Sequence, residues 1–194
     1  MILLNQMKKI LQQKERVLRQ IALEVPIHSI KTIKIKKTLK EMNEALESQD
    51  DGVAIAAPQI GYSLRIFIVS GKIFAKDFIK NREEKLLNQN NIIDVKTSIK
   101  VEKKIKNIVF INPKISKLSR EKEWMPEGCL SVRPFYGKTF RSKKVIVTAY
   151  DENAKKFIRG ASGLLSQIFQ HETDHLNGIL FIDHAKDIKA EILK

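Results

Sequence analysis

Hydrophobic residues recur along this chain at two spacings, and these divide it into elements. Ile35, Leu39, Met42 and Leu46 fall at i, i+4, i+7 and i+11, the stripe of an amphipathic helix. Ser29 is placed to cap that helix, which should run to about Ser48. Lys31, Lys34, Lys36, Lys37 and Lys40 take much of the rest, as a solvated face does. Gln49-Asp50-Asp51-Gly52 breaks the pattern. A second stripe, Leu164, Leu165, Ile168, Phe169, Glu172, His175 and Leu176, follows a break at 160–163 with Ser162 as the candidate cap, and stops at Asn177-Gly178. Between the two helices the period shortens. Leu64 to Val69 suits a buried strand, and Ile108-Val109-Phe110-Ile111 a second one that ends at Asn112-Pro113. Lys144 to Tyr150 and Lys155 to Ile158 flank Asp151-Glu152-Asn153-Ala154 as a hairpin would. Residues 10–28 read as an arm that docks on the body. Residues 71–107 lose periodicity and become rich in Lys, Asn and Glu, which suits a surface insertion in a single domain spanning 1–194. The expected fold class is α+β, with antiparallel β-sheets packed around the helix after residue 163.

Composition narrows the setting. A chain of 194 residues with 43% hydrophobic content can bury a proper core. No apolar run reaches about 18 residues, so a membrane span is not expected. The first twenty residues lack the apolar segment of a signal peptide, and their Glu15 and missing serine argue against a transit peptide. A single cysteine, Cys129, rules out an internal disulfide and suits a reducing compartment. The cytoplasm is the expected location. The net charge of +14 favours anionic partners such as nucleic acid, although AT-rich coding gives the same Lys-, Ile- and Asn-rich composition. That charge is spread along the chain and aromatics are not interleaved with it, so no sequence-specific reading of nucleic acid is expected.

The chemistry gathers at Gln170-His171-Glu172-Thr173-Asp174-His175. On a helix, residues i and i+4 lie on one face, so His171 and His175 can bind one metal ion while Glu172 moves a proton for a water activated there. Zinc-hydrolase classes sharing this pattern differ in their third ligand. The long form has a further His six residues after the second, where this chain has Phe181. The only later glutamate is Glu191, and the spacing of His184 matches no known pattern; His28 is further still from any constellation. Cys129, within Pro126-Glu127-Gly128-Cys129-Leu130-Ser131, remains. A lone cysteine is often only a small buried hydrophobe. Here a thiolate with two imidazoles would leave a fourth position open, as catalytic sites do.

Gly52-Val53-Ala54-Ile55-Ala56-Ala57-Pro58-Gln59, Glu127-Gly128-Cys129-Leu130-Ser131 and Gln170 to His175 together resemble the three signature motifs of the peptide deformylases, in the family's order. The resemblance implies an enzyme that removes the formyl group from N-formylmethionyl nascent polypeptides. It implies Cys129, His171 and His175 as metal ligands, with Fe(II) the native ion and Zn, Ni or Co as alternatives. Glu172 would transfer the proton, and Gln59 and the Leu130 N–H would stabilise the oxyanion. Val53, Met125, Leu164, Ile168 and the His171 ring would line the methionine slot, and the backbone of Val53, Ala54, Ile55 and Gly128 would pair with the peptide. Arg141 and Asp174 would pair to steady the helix, or serve only at the surface, and Asp183 and Asp187 would solvate the C-terminal segment. Three positions depart from the pattern. Ala54 replaces a glycine, which suits ordinary β backbone there. Arg133 replaces a proline, placing it at the cleft mouth or in a surface salt bridge. Gln167 is polar where a methionine slot calls for apolar lining. Two other readings remain open, a general metalloprotease and a basic RNA-associated protein. The anionic RNA surface of the ribosome is the expected docking partner.

Overall fold

The computed structural model describes residues 7–75, Phe78 and 105–190. Of the expected insertion at 71–107, residues 76, 77 and 79–104 lie outside these. Helix α1 (Ile33–Glu47) starts at Thr32, whose Oγ1 accepts the Ile35 N–H at 3.5 Å. Ser29 does not cap it. Ile27–Ser29 forms its own 3-10 turn, and the Ser29 carbonyl accepts the Thr32 hydroxyl at 2.7 Å. The stripe Ile35, Leu39, Met42 and Leu46 is buried.

Strands β1 (Ala54–Ala56), β2 (Ile66–Val69), β3 (Ile108–Leu118), β6 (Lys144–Tyr150) and β7 (Lys156–Ser162) form one antiparallel sheet in the order β1-β2-β3-β6-β7. Strands β4 (Lys122–Gly128), β5 (Phe135–Ser142) and β8 (Lys186–Ala190) form a second, in the order β4-β5-β8. β1 and β4 are therefore each an edge strand. The five-stranded sheet is covered on both faces. Ile66 and Ile68 join the α1 cluster, while Phe67 and Val69 join the cluster around helix α2 (Gly163–Leu176). That double cover explains why β2 is apolar without alternation. Phe67 stacks on Phe110 at 4.6 Å, and Phe169 of α2 meets Phe110 edge-on at 4.9 Å.

Asn112-Pro113 does not end β3. Asn112 takes a left-handed φ of 50°, and the register with β6 shifts between Ile111 and Lys114. The strand bulges and continues, and a bulge is where a strand accommodates proline. The Asn112 side chain donates to the Val25 carbonyl at 2.7 Å and accepts the Val25 N–H at 2.8 Å, pinning the N-terminal arm to the sheet. Leu18 of that arm is fully buried with Val132, Leu180 and Phe181. The break at 160–163 is shorter than expected. Gly160 pairs with Ile146 inside β7, and the chain turns only at Gly163, whose φ is 56°. Ser162 occupies the cap position without a capping bond.

Candidate active site

Helix α2 presents His171 and His175 one turn apart, with ring centroids 4.9 Å from each other. Cys129 follows the last residue of β4. Its Sγ lies 3.2 Å from His175 Nε2, and the potential ligand atoms of Cys129, His171 and His175 all fall within 4.8 Å of one another. Among the described residues these three form the one group with metal-ligand geometry. Phe181 is buried in a core cluster, and His184 instead reaches Asp174 at 3.4 Å.

Glu127 fixes this cluster in place, a role that no linear pattern around it signals. Its Oε1 lies 2.6 Å from His171 Nδ1, which turns the ring's other nitrogen toward Cys129. Arg141 donates to both carboxylate oxygens of Glu127, Nη2 at 2.7 Å and Nε at 3.0 Å, and its Nη1 to Asp174 at 2.6 Å. The expected Arg141–Asp174 pair thus forms, as one edge of a larger network. Thr139 donates to Glu127 Oε2 at 2.6 Å. Gln167 donates to the same oxygen at 3.2 Å and to the Pro126 carbonyl at 2.8 Å, so its polarity ties α2 to β4. Gln170 bonds the Ser142 N–H and carbonyl at 3.0 and 2.9 Å, tying α2 to β5.

The electrostatics follow. Burial alone would raise Glu127, but His171 and the Arg141 guanidinium outweigh it and hold the carboxyl well below the usual range. Burial likewise opposes the charge on His171, and the Glu127 carboxylate with the Cys129 sulfur overcomes it, pushing His171 well above the ordinary histidine value. His175 goes the other way, driven well below that value by burial and then by His171. Burial pushes Glu172 up to about 7. Glu172 Oε2 and His175 Nδ1 are buried without a hydrogen-bond partner among the described residues. Unpaired polar atoms of this kind cost stability unless a bound group satisfies them. A soft thiolate with two imidazoles suits Fe(II), Zn, Ni or Co, so the donor set fits a transition-metal ion.

Gln59 reaches the cluster from the 3-10 turn Ala57–Ile60. Its Oε1 accepts the Ala56 N–H at 2.8 Å, which leaves Nε2 directed at Ser131 Oγ, 3.1 Å, and Cys129 Sγ, 3.7 Å. Leu130 follows Cys129 in a turn, and its carbonyl accepts from Gln12 at 3.1 Å. Val53, Ala54, Leu164 and Ile168 gather in one apolar cluster, while the Ile55 side chain points into the α1 core and leaves only its backbone for a ligand. Ala54 has ordinary β backbone. Met125 shares the inner face of β4 with Glu127. Gly128 does not owe its identity to crowding: a Cβ there would meet nothing closer than 3.9 Å. Gly52, at the start of the first motif, is more crowded: a Cβ there would lie 3.0 to 3.3 Å from Gln49, Leu46 and Leu130. Of the two readings for Arg133, the salt bridge forms, to Asp51 at 2.7 Å. Asp183 is not a solvating residue; it accepts from Arg19 at 2.6 Å and from the Leu180 N–H at 2.9 Å.

Two antiparallel sheets about a helix, with a cysteine sulfur and two imidazoles converging beside a buried glutamate, form the kind of site that a metal-dependent hydrolase requires. The sequence profile of the polypeptide deformylase family matches residues 7–191, and the chain belongs to that family, whose members are enzymes that remove the N-formyl group from nascent polypeptides. It is 36% identical over 162 residues to the peptide deformylase of Borreliella burgdorferi, covering 83% of this chain and 79% of that one. A peptide deformylase from Legionella pneumophila has a similar structure, with TM-score 0.70, 29% identity, and 93% and 87% of the two chains covered. So has a class I type b peptide deformylase from Acinetobacter baumannii solved with Met-Ala-Ser bound, with TM-score 0.70, 26% identity, and 90% and 96% covered.

Proposed function

We propose that the chain acts as one metallohydrolase domain, with 71–107 as a surface insertion, and releases formate from N-formylmethionyl nascent polypeptides at the Cys129–His171–His175 cluster. The convergence of these three ligands beside the unpartnered Glu172 carboxylate carries the reading. Cys129, His171 and His175 would hold a divalent metal, Fe(II) natively or Zn, Ni or Co, which would supply Lewis acidity for activating a water and polarising the formyl group.

The chain's own groups do the rest. Glu172 takes the proton of the attacking water and delivers it to the leaving amine. Its burial, which raises its affinity for protons, suits a group that must both accept and return one. Gln59 Nε2, oriented by the Ala56 N–H, and the Leu130 N–H supply preformed donors to the developing oxyanion. Glu127 and Arg141 hold His171 in its ligating orientation. The apolar cluster of Val53, Leu164 and Ile168, with Met125 and the His171 ring, takes the methionine side chain. The backbone of Val53, Ala54 and Ile55 on edge strand β1, and of Gly128 at the end of edge strand β4, pairs with the extended peptide as an added strand. The Acinetobacter baumannii enzyme was solved with Met-Ala-Ser, a peptide that begins with methionine. No helix among the described residues is long and apolar enough to cross a membrane. We place the enzyme in the cytoplasm, where its +14 charge favours docking on the ribosome's RNA surface.

The deciding experiment is anaerobic purification with metal analysis, followed by assay of formate release from formyl-Met peptides. Formate release by the parent, lost in Glu172→Ala with metal retained, is the expected result. Cleavage of internal peptide bonds without formate release would show a general metalloprotease, and unchanged turnover in Glu172→Ala would remove that residue from the mechanism.

A further inference from the structure

The three-stranded sheet has two faces of opposite character. Residues pointing inward from β5, Thr139 and Arg141, hold the Glu127 network. Those pointing outward are aromatic and basic. Trp124 of β4 sits directly across from Phe140 of β5, with ring centroids 5.2 Å apart and exposures of 46% and 50%. Tyr136 and Lys138 share that face with Phe140 at two-residue spacing, and Lys186 of β8 pairs with Lys138. Lys122 Nζ lies 5.9 Å from the Phe140 ring centroid, and Lys186 Nζ 5.0 Å from that of Trp124. One carboxylate intrudes, Asp187, at 3.4 Å from Lys138. Along the sequence these aromatics and lysines lie in three separate stretches. Strand pairing brings them together, so the separation of charge and aromatics seen in the linear sequence does not hold on the folded surface.

We propose that this face binds single-stranded RNA, with bases stacking on Trp124 and Phe140 and phosphates meeting Lys122, Lys138 and Lys186. Aromatic rings on an open sheet with flanking cations are the chemistry by which unpaired nucleic acid is held without sequence readout. Charge complementarity selects the occupant: a net charge of +14 disfavours a second copy of this chain, and exposed rings alone would not call for surrounding lysines. The face lies on the side of the sheet away from the Glu127 network, so RNA bound there leaves the metal cluster open. The inference stands independently of the reaction proposed above.

Trp124 is the only tryptophan, so intrinsic tryptophan fluorescence reports on this face alone. Titration of the intact protein with a twelve-nucleotide oligouridylate should quench it saturably, with affinity falling as salt rises. Phe140→Ala should weaken binding roughly tenfold, as loss of one base–aromatic stack does. Lys122→Ala/Lys186→Ala should lower the slope of log affinity against log salt by about 1.4, at roughly 0.7 per lysine. Labelled-RNA anisotropy extends the test to Trp124→Ala, and circular dichroism shows that each variant is folded. Several results would overturn the proposal. These are absence of quenching, binding indifferent to both variants, or duplex RNA bound as tightly as single strands. A spectral shift with phosphatidylserine vesicles but not with RNA would assign the face to a membrane. Trp124 buried in an RNA-independent dimer would assign it to self-association.

Discussion

Cys129, His171 and His175 were legible as candidate ligands because metal ligation restricts residue type so strongly that two short stretches carry the pattern. Glu127 was not, because nothing in a linear sequence distinguishes a buried carboxylate from a solvated one. Only its placement against His171, Arg141, Thr139 and Gln167 gives it a role. Glu127→Gln should loosen metal retention by roughly ten- to a hundredfold, the usual cost of losing a partner that orients a ligand. It should also destabilise the fold by about 3–5 kcal/mol, since Arg141 keeps its buried charge and loses its bidentate acceptor. Metal titration and denaturant unfolding check both effects, and a second change, Arg141→Gln, should recover part of the stability if the two residues are coupled. Tyr62 shows the same principle at a distance. Its hydroxyl donates to Glu41 at 2.6 Å, and that bond, with burial, pushes Tyr62 from 10 up to about 12. The folded state therefore keeps the proton longer than the unfolded chain does. This contribution is complete below pH 10 and lost as pH rises from 10 to about 12. Tyr62→Phe should lack this alkaline loss; parallel unfolding curves for parent and variant over that range would refute the assignment.

At the scale of elements, both long helices were readable because each buries one stripe against a sheet. β4 and β5 were not. Their inner face carries Glu127, Thr139 and Arg141, and their outer face Trp124 and Phe140, so the usual inward-apolar alternation is reversed. β3 illustrates a different failure. Asn112-Pro113 has the composition of a stop, yet the Asn112 amide replaces the missing ladder bonds by pairing with Val25. Asn112→Ala should cost about 2–3 kcal/mol by orphaning a buried N–H and carbonyl of Val25. Denaturant midpoints measure this. Asn112→Gly, which accepts the left-handed φ but supplies no amide, should be destabilised nearly as much; full stability in that variant would trace the effect to backbone strain instead.

For the molecule as a whole, charge and fold are nearly independent. The fold follows from α1 and α2 covering the two faces of the five-stranded sheet, while the +14 charge remains available to a partner. Ribosome docking driven by that charge predicts co-sedimentation that weakens as salt rises, and weakens further when much of 71–107 is deleted. Co-sedimentation unaffected by either would make the charge a matter of composition.

The sequence alone determined the α+β class and the two amphipathic helices, and it singled out Cys129, His171 and His175 as candidate ligands with Glu172 beside them, because these depend on local period and on residue chemistry. Tertiary structure decided what depends on distant parts of the chain meeting. Cys129 and His175, 46 residues apart, come within 3.2 Å only because β4 ends where α2 passes. The Glu127–Arg141–Asp174 network, the bulge that carries β3 past its proline, and the joining of aromatics with lysines on the outer sheet face arise in the same way. Each is set by strand pairing and burial, which no local pattern encodes.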